Sequence, residues 1–155
     1  TMNEAPAPRR IIIGCDHAAY RLKETLKASM EAQGIQVTDI GTHSEASMDY
    51  PDTGKQVAEK IASGEFERGI LICGTGLGMS MVANKFHHVR AALCADIFSA
   101  IMSRRHNNAN ILVLGGRVIG DILATEIVKV WLETPFEGGR HQDRLNLFDR
   151  IDESA

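Results

Sequence analysis

Cysteine is scarce in this chain and odd in number: Cys15, Cys73 and Cys94 are the only three. They form no CxxC pair, which argues against a disulfide framework and a cysteine zinc site and fits a reducing, cytoplasmic setting. The six histidines contain no HExxH, and His87 and His88 diverge if they lie on a helix, so no metal is expected. Aromatic residues make up only 5%, and no run of eighteen apolar residues occurs, so no membrane span is expected. Positive charge is also short, with 17 Lys and Arg against 20 Asp and Glu for a net charge of -3. That balance provides no basic field to hold nucleic acid or an anionic membrane, so any anionic ligand must be bound by local cations. Residues 1–10, rich in Ala and Pro without an apolar signal core, read as a short tail.

What remains is an ordinary globular composition, 44% hydrophobic and 24% charged over 155 residues, of the size of one domain running over 11–155. Short apolar runs at 11–14, 36–40, 69–73, 91–94 and 111–114 are flanked by glycine or polar residues and read as buried parallel strands. Between them, stretches at 18–33, 50–63, 78–85, 96–105 and 120–133 carry apolar residues at helical spacing, and 140–150 predicts a last polar-faced helix. Pro51 suits a first helical turn, Gly34 and Gly64 suit helix ends, and Thr134-Pro135 closes another helix. The expected fold is α/β, a five-stranded parallel sheet with helices on its faces and a C-terminal helix.

Ligands of such sheets bind beyond the carboxyl ends of the strands, and the chemistry-bearing residues gather there. Asp16-His17 follow the first strand, the loop Cys73-Gly74-Thr75-Gly76-Leu77-Gly78 the third, and Gly116-Arg117 the fifth. The glycine loop opens a helix, where backbone amides favour a phosphate or an enediolate oxygen. It lacks GxxxxGK[ST] and the spacing of GxGxxG, which excludes a P-loop. Asp96 nevertheless imitates the ribose-binding acid of a dinucleotide fold, so a non-catalytic nucleotide-binding module is an alternative, as is a plain tight turn.

Each candidate residue has a structural reading beside its chemical one. Cys73 is either an inert buried thiol or a base activated by the loop amides. Asp16 and His17 either cap a helix or touch a ligand. His106 and Asn107 either finish a helix or act chemically. Arg140 and Arg144, four apart, either lie solvated or form a phosphate fork with Arg117.

Taken together, Gly14-Cys15-Asp16-His17-Ala18, Asp49-Tyr50-Pro51, Leu71 to Gly78, Ala83-Asn84-Lys85, Arg90-Ala91-Ala92, Ser103-Arg104-Arg105-His106-Asn107 and Phe136-Glu137-Gly138-Gly139-Arg140-His141 resemble type B ribose-5-phosphate isomerases. The wider family includes galactose-6-phosphate and allose-6-phosphate isomerases. The resemblance implies a Rossmann-like three-layer fold, no metal or organic cofactor, and a homodimer or tetramer whose active sites are shared between subunits. It implies that Cys73 is the base moving hydrogen between C1 and C2, and that His106 is the acid opening the furanose ring. Asp16, His17 and Tyr50 would lie beside the sugar phosphate, and Gly74, Thr75, Gly76, Leu77 and Gly78 would supply amides, with Thr75 also orienting it. Asn107, Arg117, Arg140 and Arg144 would hold hydroxyl and phosphate groups. Some members carry a glutamate base just after the glycine loop, where this chain has Met79.

Overall fold

The computed structural model describes residues 8–151. A single parallel sheet runs through it, formed by β1 (Arg10–Cys15), β2 (Gln36–Asp39), β3 (Gly69–Cys73), β4 (Ala91–Leu93) and β5 (Ile111–Gly115) in the order β2-β1-β3-β5-β4. β3 and β5 are buried along their whole length, as expected of strands covered on both faces. The helices are α1 (Tyr20–Ala32), α2 (Tyr50–Ala62), α3 (Leu77–Ala83), α4 (Ile97–Arg105), α5 (Asp121–Glu133) and α6 (Arg140–Asp149), with a short 3-10 turn at His17–Ala19 before α1. Every expected strand and helix is present, with ends displaced by a residue or two. The expected tail overlaps β1 at Arg10, and its residues 1–7 lie outside the described residues.

Alternation along the strands divides the core into two. Ile11, Ile13, Ile70, Ile72, Leu112 and Leu114 point to the face covered by α1 and α5, where Leu26, Met30, Ile127 and Trp131 complete a cluster. Ile12, Leu71, Cys73, Ile111 and Val113 point the other way, against Val57, Ala58 and Ile61 of α2 and Met79 and Ala83 of α3. Cys73 is thus the last inward residue of its strand on the α2–α3 face. Asp96 caps α4: its carboxylate accepts from the Ser99 amide at 2.6 Å and from the Ser99 hydroxyl at 2.9 Å. The acid that the nucleotide alternative requires is therefore engaged locally. α5 stops at Glu133 because Thr134 precedes a proline and adopts an extended backbone.

One polar link ties α1 to the sheet edge. The Lys23 ammonium, fully buried, donates to both Asp39 oxygens at 2.8 and 2.7 Å and to the Thr42 carbonyl at 2.6 Å. Asp39 also accepts from the Gly41 amide at 2.8 Å. Among the described residues no helix is long and apolar enough to cross a membrane.

Candidate active site

The connection after β1 leads outward to β2, whereas the connection after β3 leads the opposite way to β4. The crevice beyond the carboxyl ends of β1 and β3 is therefore the topological switch point where open α/β sheets place ligands. Strand register brings the predicted residues together there: Cys15 lies beside Ile72, and Cys73 beside Gly115. The Asp16 amide donates to the Ile72 carbonyl, the Gly116 amide to the Cys73 carbonyl and the Arg117 amide to the Gly74 carbonyl.

The loop after β3 has little room for side chains. Gly76 has φ +84°, and a Cβ there would overlap Leu93 Cδ1 and press on the Leu114 carbonyl at 3.2 Å. A Cβ on Gly78 would come within 2.5 Å of the Tyr50 ring, so Tyr50 lies directly over the first turn of α3. A Cβ on Gly74 would meet Arg117 Cδ at 3.6 Å, which puts that guanidinium arm alongside the loop. The Gly76 amide donates to Cys73 Sγ at 3.2 Å, and the Leu77 amide to Thr75 Oγ1 at 3.2 Å. Two of the five expected cradle amides thus already have partners inside the loop, one of them the candidate base itself.

The three thiols differ in setting. Burial pushes the Cys15 thiol up to about 12 and the Cys94 thiol up to about 11, so both stay protonated small hydrophobes. Cys73 alone receives an amide of the glycine loop. Met79 is fully buried between α2 and α3 and offers no base at the position where some relatives carry glutamate.

Asp16 stands at the N-cap of the 3-10 turn but makes no side-chain capping bond. Its Oδ1 is buried without a hydrogen-bond partner, which a carboxylate tolerates poorly unless a ligand completes it. The capping reading of Asp16 is thereby set aside. His17 is held by the Met48 amide, which donates to Nδ1 at 3.2 Å. Nδ1 is the acceptor in this contact, so in the neutral ring the proton resides on Nε2.

His106, Asn107, Arg140 and Arg144 form a second group. α4 begins at the carboxyl end of β4 and runs back, so His106, its C-cap, lies beside the amino end of β5. Five residues of β5 separate the two ends, roughly 15 Å at strand rise. Within one chain His106 therefore does not meet Cys73. Instead its ring stacks on His141 of α6, with centroids 4.2 Å apart and 11° between planes. Glu137 Oε2 lies 3.5 Å from His141 Nε2 and 4.0 Å from His106 Nε2. Burial, and then the charges of His106 and Arg140, hold His141 below the ordinary histidine range, while Glu137 opposes them. Glu137 and His141 escaped sequence reasoning as a unit because they come from a different segment than His106. Ligand-type atoms of all three lie within 4.8 Å. In near-parallel rings, however, the in-plane lone pairs do not converge, and binding one ion would require a ring to turn.

Large apolar side chains are exposed beside the crevice: Leu77 at 53% and Met81 at 67% on α3, and Phe98 at 68% on the first turn of α4. Leu77 and Met81 are four apart and share one helix face.

Comparison with known proteins places these features in context. Residues 11–148 match the family model described as Ribose/Galactose Isomerase. The chain is 46% identical to ribose-5-phosphate isomerase B of Escherichia coli (strain K12) over 145 residues, 94% of this chain and 97% of that one. It superposes on Clostridium thermocellum ribose-5-phosphate isomerase B with a TM-score of 0.92 and 50% identity, covering 94% of this chain and 98% of that one. A Mycoplasma genitalium ribose-5-phosphate isomerase B with bound ribulose-5-phosphate gives a TM-score of 0.90 at 38% identity, covering 94% and 97%.

Proposed function

The chain belongs to the ribose/galactose isomerase family, and we propose that it interconverts ribose 5-phosphate and ribulose 5-phosphate as a single domain from residue 11 onward, in the cytoplasm. It is an aldose–ketose isomerase. The observation that carries the mechanism is the Gly76 amide on Cys73 Sγ at the switch-point crevice. Placed there, the thiolate takes the C2 proton of the ring-opened aldose, and the electrons pass to the C1 oxygen as a cis-enediolate. The loop amides left free by Gly76 and Leu77, aided by the Thr75 hydroxyl, stabilise that oxygen. The O2 hydroxyl then gives its proton to O1, and as O2 becomes the ketone carbonyl the thiol returns its own proton to C1. The orphaned Asp16 Oδ1 accepts a substrate hydroxyl, and His17 and Tyr50 border the sugar. Arg117 takes part in holding the phosphate.

His106 supplies the proton that opens the furanose ring, and Asn107, Arg140 and Arg144 complete the binding of hydroxyl and phosphate groups. These four belong to a second copy of the chain: His106 and Cys73 lie at opposite ends of one sheet, and the apolar face of Leu77, Met81 and Phe98 beside the crevice is open to a partner. A homodimer, or a tetramer built from it, follows.

Replacing Cys73 by Ala or Ser is expected to leave the fold intact and to slow isomerisation by at least about a hundredfold. Near-normal turnover would end the assignment. The family's breadth favours one second reading, a hexose 6-phosphate substrate. Purified protein assayed side by side on ribose 5-phosphate, allose 6-phosphate and galactose 6-phosphate decides between them by kcat/KM.

A further inference from the structure

At the end of the sheet away from Cys73, a cavity of about 530 Å³ is lined by three arginines. Arg68 immediately precedes β3, Arg90 immediately precedes β4, and Arg104 sits on the last turn of α4, so three separate connections each deliver a guanidinium to one concavity. Arg104 is only 3% exposed. Among the described residues, none of the three has a carboxylate within 4.0 Å.

Their hydrogen bonds go to neutral groups. Arg104 Nη1 donates to the Ala109 carbonyl at 2.6 Å and to Asn108 Oδ1 at 2.9 Å, and its Nε to the Thr134 carbonyl at 3.3 Å. Arg90 Nε donates to the Asn108 carbonyl at 3.0 Å, and Arg68 Nη1 to the Trp131 carbonyl at 3.4 Å. The Arg68 and Arg104 guanidiniums stand 5.1 and 5.9 Å from the Trp131 ring centre. Those contacts satisfy donors without neutralising charge. Among the described residues Glu67 is the one acidic member of the lining and attracts only Arg68, and Asp149 attracts Arg90 from outside the cavity. Burial, with repulsion from Arg68 and Arg90, brings Arg104 down to about 9, and burial brings Arg68 down to about 10.

Two non-glycine residues with left-handed backbone, His88 at φ 65° and Asn108 at φ 47°, line the same cavity. Such conformations collect at ligand clamps. The volume falls within the range of small-molecule sites, and planar guanidinium forks match phosphate oxygens in pairs.

We propose that this cavity is a second anion site, which takes the phosphate group of a small phosphorylated metabolite at the end of the sheet opposite the isomerase crevice. The site does not depend on which sugar phosphate the crevice isomerises.

The test is a calorimetric titration of inorganic phosphate into the full-length protein with Arg117, Arg140 and Arg144 all replaced by Ala, which removes the crevice's phosphate contacts. Binding is expected to persist, and adding Arg68→Gln should weaken it at least about tenfold, the loss expected of one charge-assisted bidentate contact. Arg68→Gln should also raise the melting temperature without phosphate, because one of three like charges is gone, and should reduce the further rise that phosphate produces. Arg90→Gln serves as a second variant with the same expected signs. No binding tighter than about 10 mM in the crevice-disabled protein, or binding unchanged by both substitutions, overturns the proposal.

Discussion

Replacing Asp39 by Asn would leave the Lys23 ammonium, in a position with no solvent access, with only the half-exposed Glu24 carboxylate at 3.3 Å as counter-charge. In the native protein burial works against both charges, yet their hydrogen bonds and mutual attraction more than offset it. Lys23 is held above the ordinary lysine value and Asp39 below the ordinary carboxyl value. Removing one partner of a buried pair costs about 3–5 kcal/mol where the remaining charge is stranded, and the solvent-screened Glu24 carboxylate offsets little of that. For a domain of this size each kcal/mol shifts the midpoint by about 2–4 °C, so thermal unfolding of Asp39→Asn should fall by about 10 °C. Lys27, whose Nζ lies 3.5 Å from the same carboxylate and is partly exposed, can relax into water and does not rescue Lys23.

The sign of the pH dependence follows from the two shifts. Asp39 is depressed, so its contribution is present above the unfolded value of 3.8 and is lost as pH falls through the lower native value. Lys23 is raised, so its contribution is present below 10.5 and is lost as pH rises through the higher native value. The difference in unfolding free energy between wild type and Asp39→Asn should therefore be flat between these limits and shrink under acid. Lys23→Met combined with Asp39→Leu should recover more than half of the loss, short of all of it, because the Gly41 amide and Thr42 carbonyl lose a partner. Urea denaturation across pH reads all three quantities. A loss below about 1 kcal/mol for Asp39→Asn at neutral pH would refute the reasoning.

Further outcomes follow from the site. Mixing inactive Cys73→Ala and His106→Asn proteins under conditions that exchange subunits should restore about one quarter of wild-type activity, since half the dimers are mixed and each carries one intact site; no recovery after demonstrated exchange would place both residues in one chain. Gly76→Ala should lower stability by about 1–2 kcal/mol for the left-handed backbone alone, and activity further as the loop shifts away from Leu93; a variant with unchanged melting temperature and turnover contradicts that geometry. Iodoacetamide on the folded protein should label Cys73 ahead of Cys15 and Cys94, with substrate slowing the reaction, as peptide mass spectrometry would reveal; equal labelling of all three would remove the distinction among the thiols.

The strands were readable because Ile11 to Ile13, Ile70 to Ile72 and Ile111 to Leu114 are apolar on both faces, and only a sheet covered twice requires that. The cysteine and glycine cradle could be read for the same reason, since a strand's carboxyl end has a fixed place in the fold. Lys23 with Asp39, His106 with the Glu137–His141 pair, and the three arginines were hidden because each group joins segments whose separation in sequence carries no period. Asp16 misled in the opposite direction: its residue type suits an N-cap, yet its side chain makes no capping bond and its Oδ1 is buried without a partner. The division of the proposed site into two halves was nevertheless within reach of the sequence. In a parallel alternation of strands and helices, whatever follows a strand lies at one end of the sheet and whatever follows a helix lies at the other. Cys73 follows a strand and His106 follows a helix. If the two act as the proposed acid and base on one substrate, their places at opposite ends of the sheet call for a second copy of the chain.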